Sequence, residues 1–177
     1  MHQEPTGEMT QFFEQRTHAH IERVRKQLRL MATLKTEHAN ELEQRAIDHD
    51  ASKFSLEERV PYIWLTEYHR CRRAGKPFNY PNGMPEQVVK AIQHHVNTNR
   101  HHPEYHTNPN DMTDIDIIEM VCDWTAMSEE FDQHGGSARR WAEHTGGDRV
   151  KFNSERRDFI FHIISLLDAN RSGKDES

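Results

Sequence analysis

Cysteine is almost missing from this chain: among 177 residues only Cys71 and Cys122 carry a thiol, and no Cys-x-x-Cys spacing is present. No apolar run at the N-terminus resembles a signal peptide, and none reaches the about 20 residues that a membrane span requires. A reducing cytoplasm is therefore the expected location, and no membrane partner is expected. Positive charge is also in deficit. The formal net charge of −6 argues against a general nucleic-acid binder, because phosphate affinity is drawn from clustered Lys and Arg; a local basic patch stays open. The chain shows no internal repeat, no low-complexity tract and no alternating apolar and polar pattern of the kind a strand requires.

Helical periodicity is what remains. Hydrophobic residues make up 34% of the chain against 29% charged, yet Trp, Phe, Ile and Leu cluster in periodic segments instead of being diluted evenly. The length fits one domain, residues 1–177, with polar tails at 1–8 and 170–177 expected to be disordered. From Met9 to Leu34, Phe13, Thr17, His20, Val24, Leu28 and Met31 fall on one face of an amphipathic helix. A second helix, Thr36 to His49, turns Leu42, Ala46 and His49 inward. Ser55 and Glu58 have capping-box spacing and predict a third helix from Leu56, with Pro61 kinking it or delaying its start.

The Gly-, Pro- and Asn-rich stretch 72–86 reads as a loop, after which Pro85 suits the first turn of a fourth helix. That helix places Val88, Ile92 and His95 on its inner face and His94 to the side. Thr113 is the predicted N-cap of "DIDIIEMVCDWTAM", a segment apolar on most sides and hence deeply buried. After the "HGG" break at 134–136, a short segment around Trp141 and a last helix with Phe159, Ile163, Leu166 and Leu167 complete an all-α chain.

Histidine is the compositional outlier, with 14 copies, five of them between Gln93 and Thr107. It is the commonest metal ligand and the usual proton carrier near neutral pH. Four positions place a ligand-capable side chain where the helical pattern wants a core residue: His20, His49 with the adjacent Asp50, and Asp123. A carboxylate beside Ile118, Val121 and Trp124 without a partner would cost several kcal/mol, and so calls for a cation. Imidazoles and carboxylates together suit Mn, Fe, Co, Ni, Zn or Mg, as one ion or two.

The order His, His-Asp, distant Asp on a helical scaffold resembles the HD superfamily of metal-dependent phosphohydrolases, and "HDASK" is similar to the "HDxxK" form found in many of its members. "HIERV", "HDASKFSLEE", "HHVNTNRHHPEY" and "DIDIIEMVCDW" together look like an uncharacterised bacterial and phage family with this pattern, over roughly Thr17 to Asp168. The resemblance implies an HD-domain-like bundle of about six helices, with His20, His49, Asp50 and Asp123 as metal ligands. It further implies hydrolysis of a phosphomonoester or phosphodiester, with a nucleotide as the expected small substrate. In that reaction Asp50 would orient the attacking water or take its proton, and Lys53 would hold the substrate phosphate or neutralise Asp50.

The histidine doublets are assigned differently. His94 to His101, and His95 to His102, are seven residues apart, which on a continuous helix is a rise of about 10.5 Å, too far for one ion unless the chain bends. Asn97-Thr98-Asn99 and Pro103 supply a bend. His95 and His102 are the choices for a second metal or for a substrate phosphate, with His101 in reserve and surface histidines at a helix end as the plainer reading. Glu119, one turn before Asp123, reads as an outer-shell partner of a ligating histidine. Glu58 could position a water, although the capping box accounts for it without catalysis. Two other readings stay open: a two-iron oxygenase that uses His95 and His102, and a non-catalytic, metal-stabilised binding module.

Overall fold

The computed structural model describes residues 3–131, 136–148 and 150–172; His134 and Gly135 of the expected break, with residues 1–2 and 173–177 of the expected tails, lie outside them. Among the described residues seven α-helices run in the order α1 (Gly7–Leu34), α2 (Ala39–Asp48), α3 (Arg59–Arg73), α4 (Met84–Thr98), α5 (Asp114–Glu130), α6 (Arg139–Asp148) and α7 (Ser154–Ser172). Short 3-10 turns occupy Thr36–His38, Ala51–Phe54, Pro103–Tyr105 and Pro109–Asp111. Among the described residues there is no strand, and no helix is long and apolar enough to cross a membrane. The chain is all-helical, as the periodicity predicts. α1 already begins at Gly7 and α7 continues to Ser172, so both enter stretches expected to be frayed.

The chain divides into two compact units, each built from two separate stretches: residues 1–19 with 50–99, and residues 20–49 with 100–177. In the first unit α3 and α4 pack together around Phe13, Ile63, Trp64, Met84 and Val88. Ion pairs from Arg59 to Glu14 (2.6 Å) and from Arg70 to Glu8 (2.8 Å) tie α3 to the N-terminal part of α1. Pro61 delays the helix instead of kinking it: α3 starts at Arg59, which puts the proline in the first turn, where its missing N–H costs nothing. α4 starts from Gly83, whose φ of +78° is left-handed and favours a residue with no Cβ.

The second unit has the larger core. Val24, Leu28 and Met31 of α1, Leu42 and Ala46 of α2, Ile117, Ile118, Met120 and Val121 of α5, and Ile160, Ile163, Ile164 and Leu167 of α7 are all buried. α5 is apolar nearly all round because it sits among the other helices, packing on α2 and α7. Thr113 caps it as predicted: its Oγ1 accepts from the Asp116 N–H at 3.2 Å, while an Asp116 oxygen accepts from the Thr113 N–H at 3.0 Å.

Two local expectations are corrected. Ser55 and Glu58 form no capping box; Ser55 is extended, Leu56 is 96% exposed, and neither is in a helix. Glu58 does flank α3, but its carboxylate is spent on histidines and makes no cap hydrogen bond. On α4 the buried stripe is Met84, Val88, Ala91 and His95, whereas Ile92 is 39% exposed. The stripe follows steps of four, three and four residues, and Ile92 lies one position off it.

Thr113→Ala should lower stability by about 1 kcal/mol, the ordinary value of an N-cap, whereas Ser55→Ala should change it by less than about 0.5 kcal/mol. Urea unfolding of both variants checks the contrast, and equal losses would reinstate the Ser55 cap.

Candidate metal centre

α2 ends at the residue pair that the sequence singles out. His49 is its C-terminal cap, and Asp50 follows with φ +56°, the one non-glycine among the described residues with a positive φ. Aspartate tolerates this left-handed conformation better than most residues, and such strain gathers at functional sites. Arg25 holds the helix end in place: its Nε donates to the Ala46 carbonyl (2.7 Å) and its NH2 to that of Ile47 (3.2 Å). These carbonyls are the negative end of the helix, where a cation is favoured.

In the second unit five ligand-capable side chains converge. His20 Nε2 lies 2.9 Å from Asp123 Oδ1, and His49 Nε2 lies 3.9 Å from the same oxygen. Glu119 Oε1 accepts from His49 Nδ1 at 2.9 Å and lies 3.2 Å from His101 Nδ1. The His49 and His101 rings stand 4.7 Å apart, and those of His20 and His49 5.8 Å. His20, His49, His101 and Glu119 are buried, while the Asp123 side chain keeps 17% exposure. The cluster is thus closed on the protein side and retains one accessible carboxylate.

Electrostatics favour ionised carboxylates there. Burial pushes Asp123 up, but the hydrogen bond from His20 and the charges of His20, His101 and His49 outweigh it and hold the carboxyl well below its usual range. Glu119 behaves alike: burial raises it, and His101 and His49 more than reverse the effect. Cys122 is pushed well above the ordinary thiol value by burial and by the Glu119 and Asp123 charges, so it adds no thiolate. Three imidazoles and two carboxylates therefore form an all N and O donor set, which fits a hard or borderline divalent cation. His49, His101 and Glu119 bring ligand atoms within 4.8 Å of one another, close enough for a metal ion.

The remaining predicted residues lie as follows. In the first unit Asp50 is buried, with Lys53 Nζ on its Oδ2 at 2.5 Å and His95 Nε2 at 3.3 Å from its Oδ1. His95 Nδ1 donates to Glu58 Oε2 (2.9 Å), while His94 Nδ1 holds the other Glu58 oxygen (2.8 Å). Burial lowers the His95 pKa, but its bonds to Asp50 and Glu58 leave it raised overall. Glu58 is raised by burial and, in balance, lowered by His95 and His94. Lys53 and Asp50 thus form an ion pair. His94 is lateral, lining a groove with Leu56, Val60, Pro61, Met84 and Lys90. The bend after α4 falls at Asn99, which is extended. Of the second doublet His101 is the buried member, held by Glu119, while His102 is half-buried beside it at 4.2 Å between rings.

Three residues were missed. Arg45 joins Glu119 (2.6 Å) to Asp116 (2.7 Å), and Arg100 grips the other Asp116 oxygen at 3.0 Å. Asp116 is wholly buried. Its position three residues after the Thr113 cap was a signal, and Arg45, one turn before His49, was another.

Hydrogen bonds from Arg100, Thr113 and Arg45 hold Asp116 below its ordinary 3.8 against the opposing effect of burial. A depressed carboxylate stabilises fully above its unfolded value and loses that contribution as pH falls through the folded one. The part of the stability that Asp116 supplies should therefore be lost below pH 3.8. Asp116→Asn should cost about 3 kcal/mol at neutral pH and flatten the acid limb, as followed by circular dichroism melts between neutral and strongly acidic buffers.

No curated protein and no solved structure matches the chain. A family model matches residues 9–166, a stretch that contains both buried histidine clusters. The chain belongs to DUF5662, a family of unknown function.

Proposed function

We propose that the chain is a metal-dependent phosphohydrolase of the HD type, acting on a phosphomonoester or phosphodiester, with a nucleotide as the favoured substrate. The observation that carries this reading is the convergence of His20 and His49 on Asp123, in a buried cluster where Glu119 holds the far side of His49. In the proposed ligand set Asp50, the residue peptide-bonded to His49, is the fourth member. A divalent cation held by these groups would supply a Lewis acid and bring the pKa of a water toward neutrality. Mixed nitrogen and oxygen ligation by four side chains leaves positions open for that water and for substrate if the ion is octahedral.

The protein's own groups then divide the remaining work. Asp50, kept anionic by Lys53, orients the attacking water or takes its proton. Lys53 and the histidines stabilise negative charge on the phosphoryl oxygens. His95 and His102 are proposed for a second cation or for the substrate phosphate.

Protein purified without tag or chelator should contain one or two divalent ions per chain by elemental analysis. With Mn, Co or Ni it should release orthophosphate from a nucleotide panel. His49→Ala and Asp123→Asn should each lower kcat by about 10³-fold or more. Loaded protein that turns over no phosphoester would overturn the hydrolase. Two irons with an oxygen-sensitive spectrum would point to an oxygenase, and a large loss of Tm on chelation without turnover to a structural metal.

A further inference from the structure

Arg45 belongs to no ligand set, and Glu119 stands outside the four ligands proposed for hydrolysis, yet the two meet in a short buried ion pair at 2.6 Å. Glu119 sits one turn before Asp123 on α5 and is buried. Its Oε1 faces two ring nitrogens of the same kind, Nδ1 of His49 at 2.9 Å and Nδ1 of His101 at 3.2 Å. Its Oε2 is bound by Arg45 NH1 at 2.6 Å. An ionised carboxylate only accepts hydrogen bonds, so both rings must present N–H at Nδ1. In a neutral imidazole the lone pair then belongs to Nε2. For His49 that is the nitrogen facing Asp123.

Arg45 makes this arrangement rigid. It stands one turn before His49 on α2, and its guanidinium spans Glu119 and Asp116, which lie three residues apart on one face of α5. Arg100 and the Thr113 N–H hold Asp116 in turn. A planar fork with two fixed carboxylate partners sets position as well as charge, which a lysine would do less well.

We propose that Arg45 and Glu119 are a positioning pair that fixes the Nδ1–H tautomer of His49 and His101 and so turns Nε2 of each toward a bound divalent cation. The inference rests on the metal-centre reading for its consequence, although the tautomers are a property of the protein alone. Neither residue is a catalytic residue; both act through the histidines.

Two measurements test the pair independently. Long-range proton–nitrogen spectra of the ion-free protein, with the His49 and His101 signals assigned by substitution, should show both neutral rings protonated at Nδ1, and Glu119→Gln should redistribute them toward Nε2–H. Competition with a chelator should show Mn²⁺ bound about 10- to 100-fold more weakly by Glu119→Gln and by Arg45→Met. Arg45→Lys, which restores the charge without the fork, should recover part of the loss and stays informative if Arg45→Met fails to fold. Thr113→Ala, destabilised but with Glu119 untouched, should bind Mn²⁺ like the wild type. Wild-type rings protonated at Nε2, or Glu119→Gln binding Mn²⁺ as tightly as the wild type, would overturn the positioning pair. A wild type that binds no divalent cation while showing Nδ1–H rings would instead overturn the metal centre and leave the tautomer assignment standing.

Discussion

A carboxylate buried among helices is the constraint around which the second unit is assembled. Glu119 brings a negative charge into the flank of α5, a segment otherwise lined by Ile117, Ile118, Met120 and Val121. Such a charge persists only where several donors meet it. Those donors come from separate stretches: Arg45 and His49 from the end of α2, and His101 from the segment after α4. Satisfying one carboxylate therefore fixes where α2 ends and where that segment passes. Asp116 repeats the logic one turn earlier, taking Arg45 and Arg100 and capping α5 through Thr113. The segment from Arg100 to Thr113 is consequently pinned at both ends by the same side chain.

How much of this was legible in the sequence depended on whether the signal was local. Periodicity in α1 identified Phe13, Thr17, His20, Val24, Leu28 and Met31, and all are buried. The Thr113 cap, the burial of α5 and the inward turn of His95 were equally local, because each follows from neighbours within a few residues. The Ser55–Glu58 box failed for the opposite reason. Its spacing is correct, but Glu58 is claimed by His94 and His95, more than thirty positions further along the chain, and no short-range rule sees that competition. The choice between His101 and His102 was of the same type. Both follow the bend, and the contact to Glu119 is made by His101.

Residue pairing was the least legible layer. Arg45 looks like an ordinary last-turn cation of an amphipathic helix, a position that helix polarity alone would explain. Its partners stand seventy positions away, and only folding gives it a role. Glu119 could be read as an outer-shell partner because it shares a face with Asp123, but its attachment to two histidines required the third dimension. Loss of this information is general: a helix periodicity reports which face is inward and leaves open what it meets there.

Charge balance separates the two histidine clusters. In the second unit Arg45 and Arg100 match Asp116 and Glu119 one for one, so that group is neutral without any imidazole proton. Asp123 is outside this balance: among the described residues its ion pairs are to His20 and His49, and no Lys or Arg is paired with it. In the first unit Asp50 has Lys53, and the charge of Glu58 is met by His95, whose raised pKa favours the imidazolium that would complete neutrality. The first unit can thus balance itself with protons, whereas among the described residues no Lys or Arg charge is matched to Asp123. A divalent ion at Asp123 would meet the carboxylate while leaving the imidazoles neutral, which is the form in which they coordinate. The same side chain is the accessible one of its cluster, so the charge deficit and the point of entry coincide.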